Sequence, residues 1–196
     1  MMYNPHGARK RLMVVVVGMI GSGKTMVAMR LVNRYGFIRV SAGAVARSVV
    51  GGPAGEMRLT FQDAFETWLE GNGESVFADA LLQQCHGARD VVIDGLRVAK
   101  TFEFLRQRFG GHTEIIHVVC KKDLAFQRQS ARSRSDMRLM DEAEFDQAIR
   151  HKVEQQVRPL IERADHIIVN NGDVVNLYSA VDRIAGAFER LDGIRR

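Results

Sequence analysis

An apolar run, Leu12-Met-Val-Val-Val-Val17, leads straight into Gly18-Met-Ile-Gly-Ser-Gly-Lys-Thr25, and few folds accommodate that succession. An apolar stretch without alternation reads as a strand buried on both faces, as in a parallel sheet. The glycine-rich segment after it fits GxxxxGK[ST] and opens a helical pattern, so strand, loop and helix stand in the order this motif requires. At average residue frequencies its four fixed positions match by accident about once in a hundred chains of this length. The flanking context reduces that further.

Each position of the loop has a physical reason. Glycines let successive backbone N–H groups approach phosphate oxygens without a Cβ in the way, and the helix beginning near Gly23 adds the positive end of its dipole. Gly18, Gly21, Ser22, Gly23, Lys24, Thr25 and Met26 therefore form the expected cofactor-binding set. Lys24 brings mobile positive charge to the β- and γ-phosphates, and the Thr25 hydroxyl is a ligand for Mg²⁺. A Mg-nucleoside triphosphate is the implied ligand.

Four more short apolar runs follow: Gly36-Phe-Ile-Arg-Val40, which is the weakest, Asp90-Val-Val-Ile-Asp94, Glu114-Ile-Ile-His-Val-Val119 and His166-Ile-Ile-Val169. Helical periodicity falls between them, over Thr25 to Tyr35, Ala42 to Val50, Phe61 to Leu69, Ser75 to Cys85, Ala99 to Phe109, Leu124 to Arg132, Glu142 to Arg163 and Val174 to Leu191. Strands alternating with helices predict a three-layer α/β fold with a parallel five-stranded sheet. Right-handed crossovers then put the ligand-binding loops at the carboxyl edge of the strands. Asp94 ends its run at that edge. A strand-end acid often caps the next helix, but beside a phosphate loop it also suits a metal-bound water, and with Thr25 it makes the expected metal set.

The 196 residues carry a net charge of +5. The excess is local: Arg9 to Arg11 give +3, Arg195 and Arg196 give +2, and Gln127 to Arg138 give +3, which leaves −3 elsewhere. No broad basic face is implied, so a nucleic-acid partner is not favoured. Arg9-Lys10-Arg11 before an apolar run mimics a secretion signal, but a glycine loop stands where a small-residue cleavage site belongs. No run reaches the ~18 apolar residues that cross a bilayer. Cys85 and Cys120 have no metal or disulfide spacing, so a reduced, cytoplasmic protein is expected.

Asp94-Gly-Leu-Arg97 is the more discriminating segment, and with it the chain resembles the nucleoside-monophosphate-kinase-like group of P-loop proteins, which includes adenylate kinases and dephospho-CoA kinases. Further segments carry the likeness: Val40-Ser-Ala-Gly-Ala-Val-Ala-Arg47, Phe126-Gln-Arg128 with Arg132-Ser-Arg-Ser-Asp136, and Ala164-Asp-His-Ile-Ile-Val-Asn-Asn-Gly172. The resemblance implies one P-loop kinase domain over 1–196, with acceptor-binding helices at about 41–88 and an arginine-rich lid at about 126–142. It implies transfer of the γ-phosphate of Mg-ATP to a nucleoside or deoxynucleoside monophosphate. Ser41, Gly43, Arg47, Gly95 and Arg97 would hold this phosphorylated acceptor; Arg128, Arg132 and Arg134 would close over the triphosphate beside Lys24 and Asp94; backbone near Asn171 and Gly172 would border the donor base. Independently, Arg128 and Arg132 are spaced i,i+4 and share a helix face.

The chain departs from that group in two places. Ala44 stands where related kinases carry an acid, and Ala148 and Ile149 where they tend to carry Arg-Asp. Other acceptors therefore stay open, namely dephospho-CoA, another metabolite or a modified base in DNA, as does a non-catalytic ATP-binding switch. Trp68 reads as packing, Asp63 and Glu66 as a solvated helix face, and His117 as a core histidine.

Overall fold

The computed structural model describes residues 11–51, 58–131 and 141–191. Among them five strands, β1 (Leu12–Val17), β2 (Ile38–Ser41), β3 (Asp90–Asp94), β4 (His112–Val119) and β5 (His166–Val169), form one parallel sheet in the order β2-β3-β1-β4-β5. The uninterrupted apolar run lies at the centre as β1, buried at every residue, as a strand covered on both faces must be. The edge strand β5 alternates instead, with Ile168 buried between exposed Ile167 and Val169.

Ten helices flank the described strands: α1 (Lys24–Tyr35), α2 (Ala42–Val50), α3 (Arg58–Asn72), α4 (Glu74–Gln83), α5 (Ala99–Phe109), α6 (Lys122–Ser130), α7 (Glu142–Arg150), α8 (Lys152–Gln155), α9 (Arg158–Glu162) and α10 (Val174–Leu191). One sheet face, with Val14, Val16, Val92 and Ile116, packs under α1 and α10. The other, with Val15, Val17, Val91 and Ile93, packs under α2, α3, α4, α5 and α9. A smaller cluster of Ile20, Cys120, Ala125, Phe145 and Ala148 seats the phosphate loop against α6 and α7.

The five expected strands and their α/β arrangement are present, with two boundary corrections. Gly36 is not part of β2; it takes φ +74° and closes α1, its N–H donating to Val32 O. The single helix expected over Glu142 to Arg163 is three pieces. Phe145 and Ala148 pack under the phosphate loop whereas Val157 and Leu160 join the α5 side. One straight helix cannot serve both clusters. The chain turns at His151, which is extended at φ −58°, ψ 144°, and Pro159, which cannot donate to a preceding turn, sits at the start of α9.

Candidate functional site

Parallel strands bring the carboxyl ends to one edge, and the register fixes what meets there. Asp94 lies opposite both Val16 of β1 and Ser41 of β2, and His117 opposite Val17, the residue before the loop. The phosphate loop turns tightly over this edge. Gly18 and Gly21 hold φ +144° and +77°, and a Cβ on either would stand 2.3 Å from Val118 O or 2.1 Å from Ala125 O. Only glycine fits there without moving backbone.

The loop ends on Gly23, the left-handed N-cap of α1, with no side-chain cap and no acid in the first turn. The first amides of α1 thus keep their donor capacity, and the dipole's positive end faces the loop. Lys24 curls back, its Nζ donating to Gly18 O at 2.8 Å and Met19 O at 2.7 Å. Ser22 is fully buried and its Oγ has no partner among the described residues. A cradle of glycines, an orphaned hydroxyl, a lysine over the loop and an uncapped helix start suit a polyphosphate. Thr25 is partly exposed and Met26 exposed on α1.

Asp94 is 5% exposed. Its Oδ2 accepts a hydrogen bond from Arg39 Nη2 at 2.7 Å, and Gly95 N donates to Val16 O, which ties β3 to β1 just below the loop. Asp94 and the Thr25 hydroxyl are the hard oxygen donors that Mg²⁺ prefers. No cluster of three acidic, histidine or cysteine side chains suited to a metal occurs among the described residues.

The arginines among the described residues have the following partners. Arg128 donates from Nη1 to Asn170 O at 2.9 Å and from Nη2 to Gly172 O at 3.3 Å, so it binds the loop after β5. Arg132 and Arg134, with 132–140 of the lid segment, lie outside the described residues. Arg97 is ion-paired: Nε donates to Glu154 Oε1 at 2.5 Å and Nη1 to Gly95 O. Glu154 is 6% exposed and also accepts from Gln62 of α3. Arg47 is exposed on α2, its guanidinium 5.6 Å from the Phe61 ring centre. Ser41 caps α2, its Oγ accepting from Ala44 N; Gly43 is helical there, with open space where a Cβ would stand.

Sequence reasoning missed Arg39, Glu154 and Asn170. An arginine inside an apolar strand was the available signal for Arg39. Asn170 is 5% exposed and donates from Nδ2 to Ser22 O at 2.8 Å, joining the phosphate loop to the segment of Asn171 and Gly172; Asn171 itself accepts from Lys121 N. Trp68 packs beside Phe65 and Phe77, as expected. Asp63 and Glu66, expected on a solvated face, pair with His151 and Lys152. His117 is half-buried; burial foremost, then the nearby Lys24 charge, pushes its pKa down. Burial pushes the thiols of Cys85 and Cys120 up, and both are free.

A five-stranded parallel sheet in this order, with the glycine loop between its central strand and first helix, is a P-loop NTPase fold. The chain belongs to the AAA domain family, whose match spans residues 13–157. Solved structures share the architecture. A shikimate kinase from Bacteroides thetaiotaomicron superposes with a TM-score of 0.57 at 15% identity, over 91% of this chain and 98% of that one. Shikimate kinase from Acinetobacter baumannii, in complex with shikimate, gives 0.60 at 21% identity, over 91% and 94%. At these identities the likeness establishes the fold. No curated protein matches the sequence.

Proposed function

We propose that this chain is an ATP-dependent phosphotransferase, one catalytic unit that moves the γ-phosphate of Mg-ATP to a nucleoside or deoxynucleoside monophosphate. The observation that carries this reading is the pairing of an uncapped glycine cradle under Lys24 with a buried Asp94 one strand away. The cradle's amides and Lys24 hold the triphosphate, while Thr25 and Asp94 hold its metal. Mg-ATP supplies the transferable phosphoryl group. The protein's contribution is placement and fixed positive charge, which stabilise the charge spread over the migrating group. Arg128 and Asn170 brace the base-bordering segment from Asn171 to Gly172. Arg47 on α2 and Arg97 just after β3 receive the acceptor's phosphate, with Arg97 exchanging Glu154 for it. Buried free thiols suit a reducing, cytoplasmic setting.

One observation favours a second reading. Glu154 already neutralises Arg97, which weakens its hold on a phosphate, and the solved shikimate kinase is a complex with shikimate, so a small hydroxylated metabolite is a rival acceptor. Incubation with Mg-ATP and a panel of mononucleotides, shikimate, dephospho-CoA and DNA discriminates. ADP formed only with a mononucleotide supports the proposal. ADP formed only with another acceptor reassigns the substrate, with steep salt dependence marking DNA, and none with any acceptor leaves a non-catalytic ATP-binding switch. Arg97→Ala is expected to raise the acceptor KM at least about tenfold, as loss of a charge-assisted pair does, with the ATP KM within about twofold.

A further inference from the structure

The proposed reaction leaves Arg39 without a task, yet it donates to Asp94 Oδ2 at 2.7 Å. A carboxylate as deeply buried as Asp94 needs a cation, and Arg39 supplies one at 2.7 Å, keeping 30% of its own side-chain surface exposed against 6% for the acid. The register explains how. Arg39 lies opposite Val92, two residues short of the Ser41–Asp94 pair, and alternate residues of a strand share a face. Its long stem therefore runs forward along the sheet edge to the carboxylate. Ser41 is occupied capping α2, and Ala44 brings no acid to the first turn of that helix, so Asp94 is the one carboxylate that Arg39 pairs with among the described residues.

We propose that Arg39 is a resident counter-cation that competes with the divalent metal for Asp94, and so sets the metal concentration at which the site fills. The inference rests on the proposed function, which puts the metal at Asp94. Arg39 bonds Asp94 through Oδ2, which leaves Oδ1 as the oxygen for a metal-bound water. Two cations on one carboxylate repel each other at short range, in a setting that salt screens poorly. Metal binding therefore loosens Arg39, and its partly exposed guanidinium can move out to water while the stem stays packed.

The test is Mn²⁺ titration by electron paramagnetic resonance, using the full chain saturated with the non-hydrolysable analogue β,γ-imido-ATP. Arg39→Gln is expected to bind Mn²⁺ at least fivefold tighter than the wild type, and Arg39→Lys, which keeps the charge, to lie within twofold of it. Asp94→Asn should weaken Mn²⁺ at least tenfold, and adding Arg39→Gln to that variant should change nothing further. In melting curves without metal Arg39→Gln should unfold earlier than the wild type and recover more on adding Mn²⁺, which a merely structural arginine would not produce. An unchanged or weaker Mn²⁺ affinity in Arg39→Gln, with Asp94→Asn still impaired, overturns the competition alone. An Arg39 effect that persists in the Asp94→Asn background overturns it too. Normal affinity in Asp94→Asn removes the metal assignment of the proposed function along with it. If Arg39→Gln does not fold, Arg39→His at pH 6 and pH 8.5 gives the same comparison. Tighter Mn²⁺ at the higher pH, relative to the wild type, supports competition and equal affinity refutes it.

Discussion

Lys24 donates to the carbonyls of Gly18 and Met19, and Met19 O keeps the Ser22 N–H as a donor when it is removed. Lys24→Ala is therefore expected to keep its melting temperature within a few degrees while turnover falls about 10²-fold or more, the usual effect of deleting one fixed charge at a transferring group. Unchanged turnover would count against the proposed reaction. Gly21 is the opposite case. Alanine there meets a left-handed φ of +77° and Ala125 O at 2.1 Å, so Gly21→Ala is expected to lose about 2 kcal/mol or more in chemical denaturation and to abolish the heat of ATP binding in calorimetry. The loop glycines and Lys24 were legible from spacing alone. The Arg97–Glu154 pair was not, because 57 residues separate its members and no local pattern links them.

Helix α7 shows what short-range chemistry specifies. Asp141 accepts from Glu144 N at 2.8 Å while the Glu144 side chain accepts from Asp141 N, a complete capping box. Asp141→Ala is expected to cost about 1 kcal/mol in urea unfolding, and because Phe145 of this helix packs against Ala125 and Ile20, nucleotide affinity should fall with it. Both ends of α2 were readable because Ser41 and the left-handed Gly51 act within a few residues of themselves, as does Gly110 at the end of α5. The break between α7 and α9 was not, because the apolar spacing over Glu142 to Arg163 continues through the turn. Only the existence of two separate clusters to be filled makes the chain change direction there.

Across the molecule, α1 and α10 are stapled by Arg30, whose Nε and Nη2 donate to Asp182. Those hydrogen bonds hold Asp182 below the usual carboxylate range, and Arg163 does the same for Glu103. A folded pKa lowered in this way contributes stability above the unfolded value near 4, and that stability is lost as pH falls through the folded one. His117, whose pKa burial pushes down, adds a loss as pH drops below about 6.5, where the unfolded chain protonates first. Melting temperature is therefore expected to decline as pH falls from 7 into the acid range, and the gap between wild type and Asp182→Asn to be widest at neutral pH and to close as Asp182 becomes protonated in the folded state. A gap that stays constant would remove the staple. The α/β class, the five strands, the phosphate loop and Asp94 could all be read from the chain, since periodicity and motif spacing express interactions between near neighbours. The order of the strands, the partners of Arg39, Arg97 and Arg128, and the seat of Asn170 against Ser22 arose only on folding. Those contacts join residues far apart along the chain, and packing rather than local preference selects them.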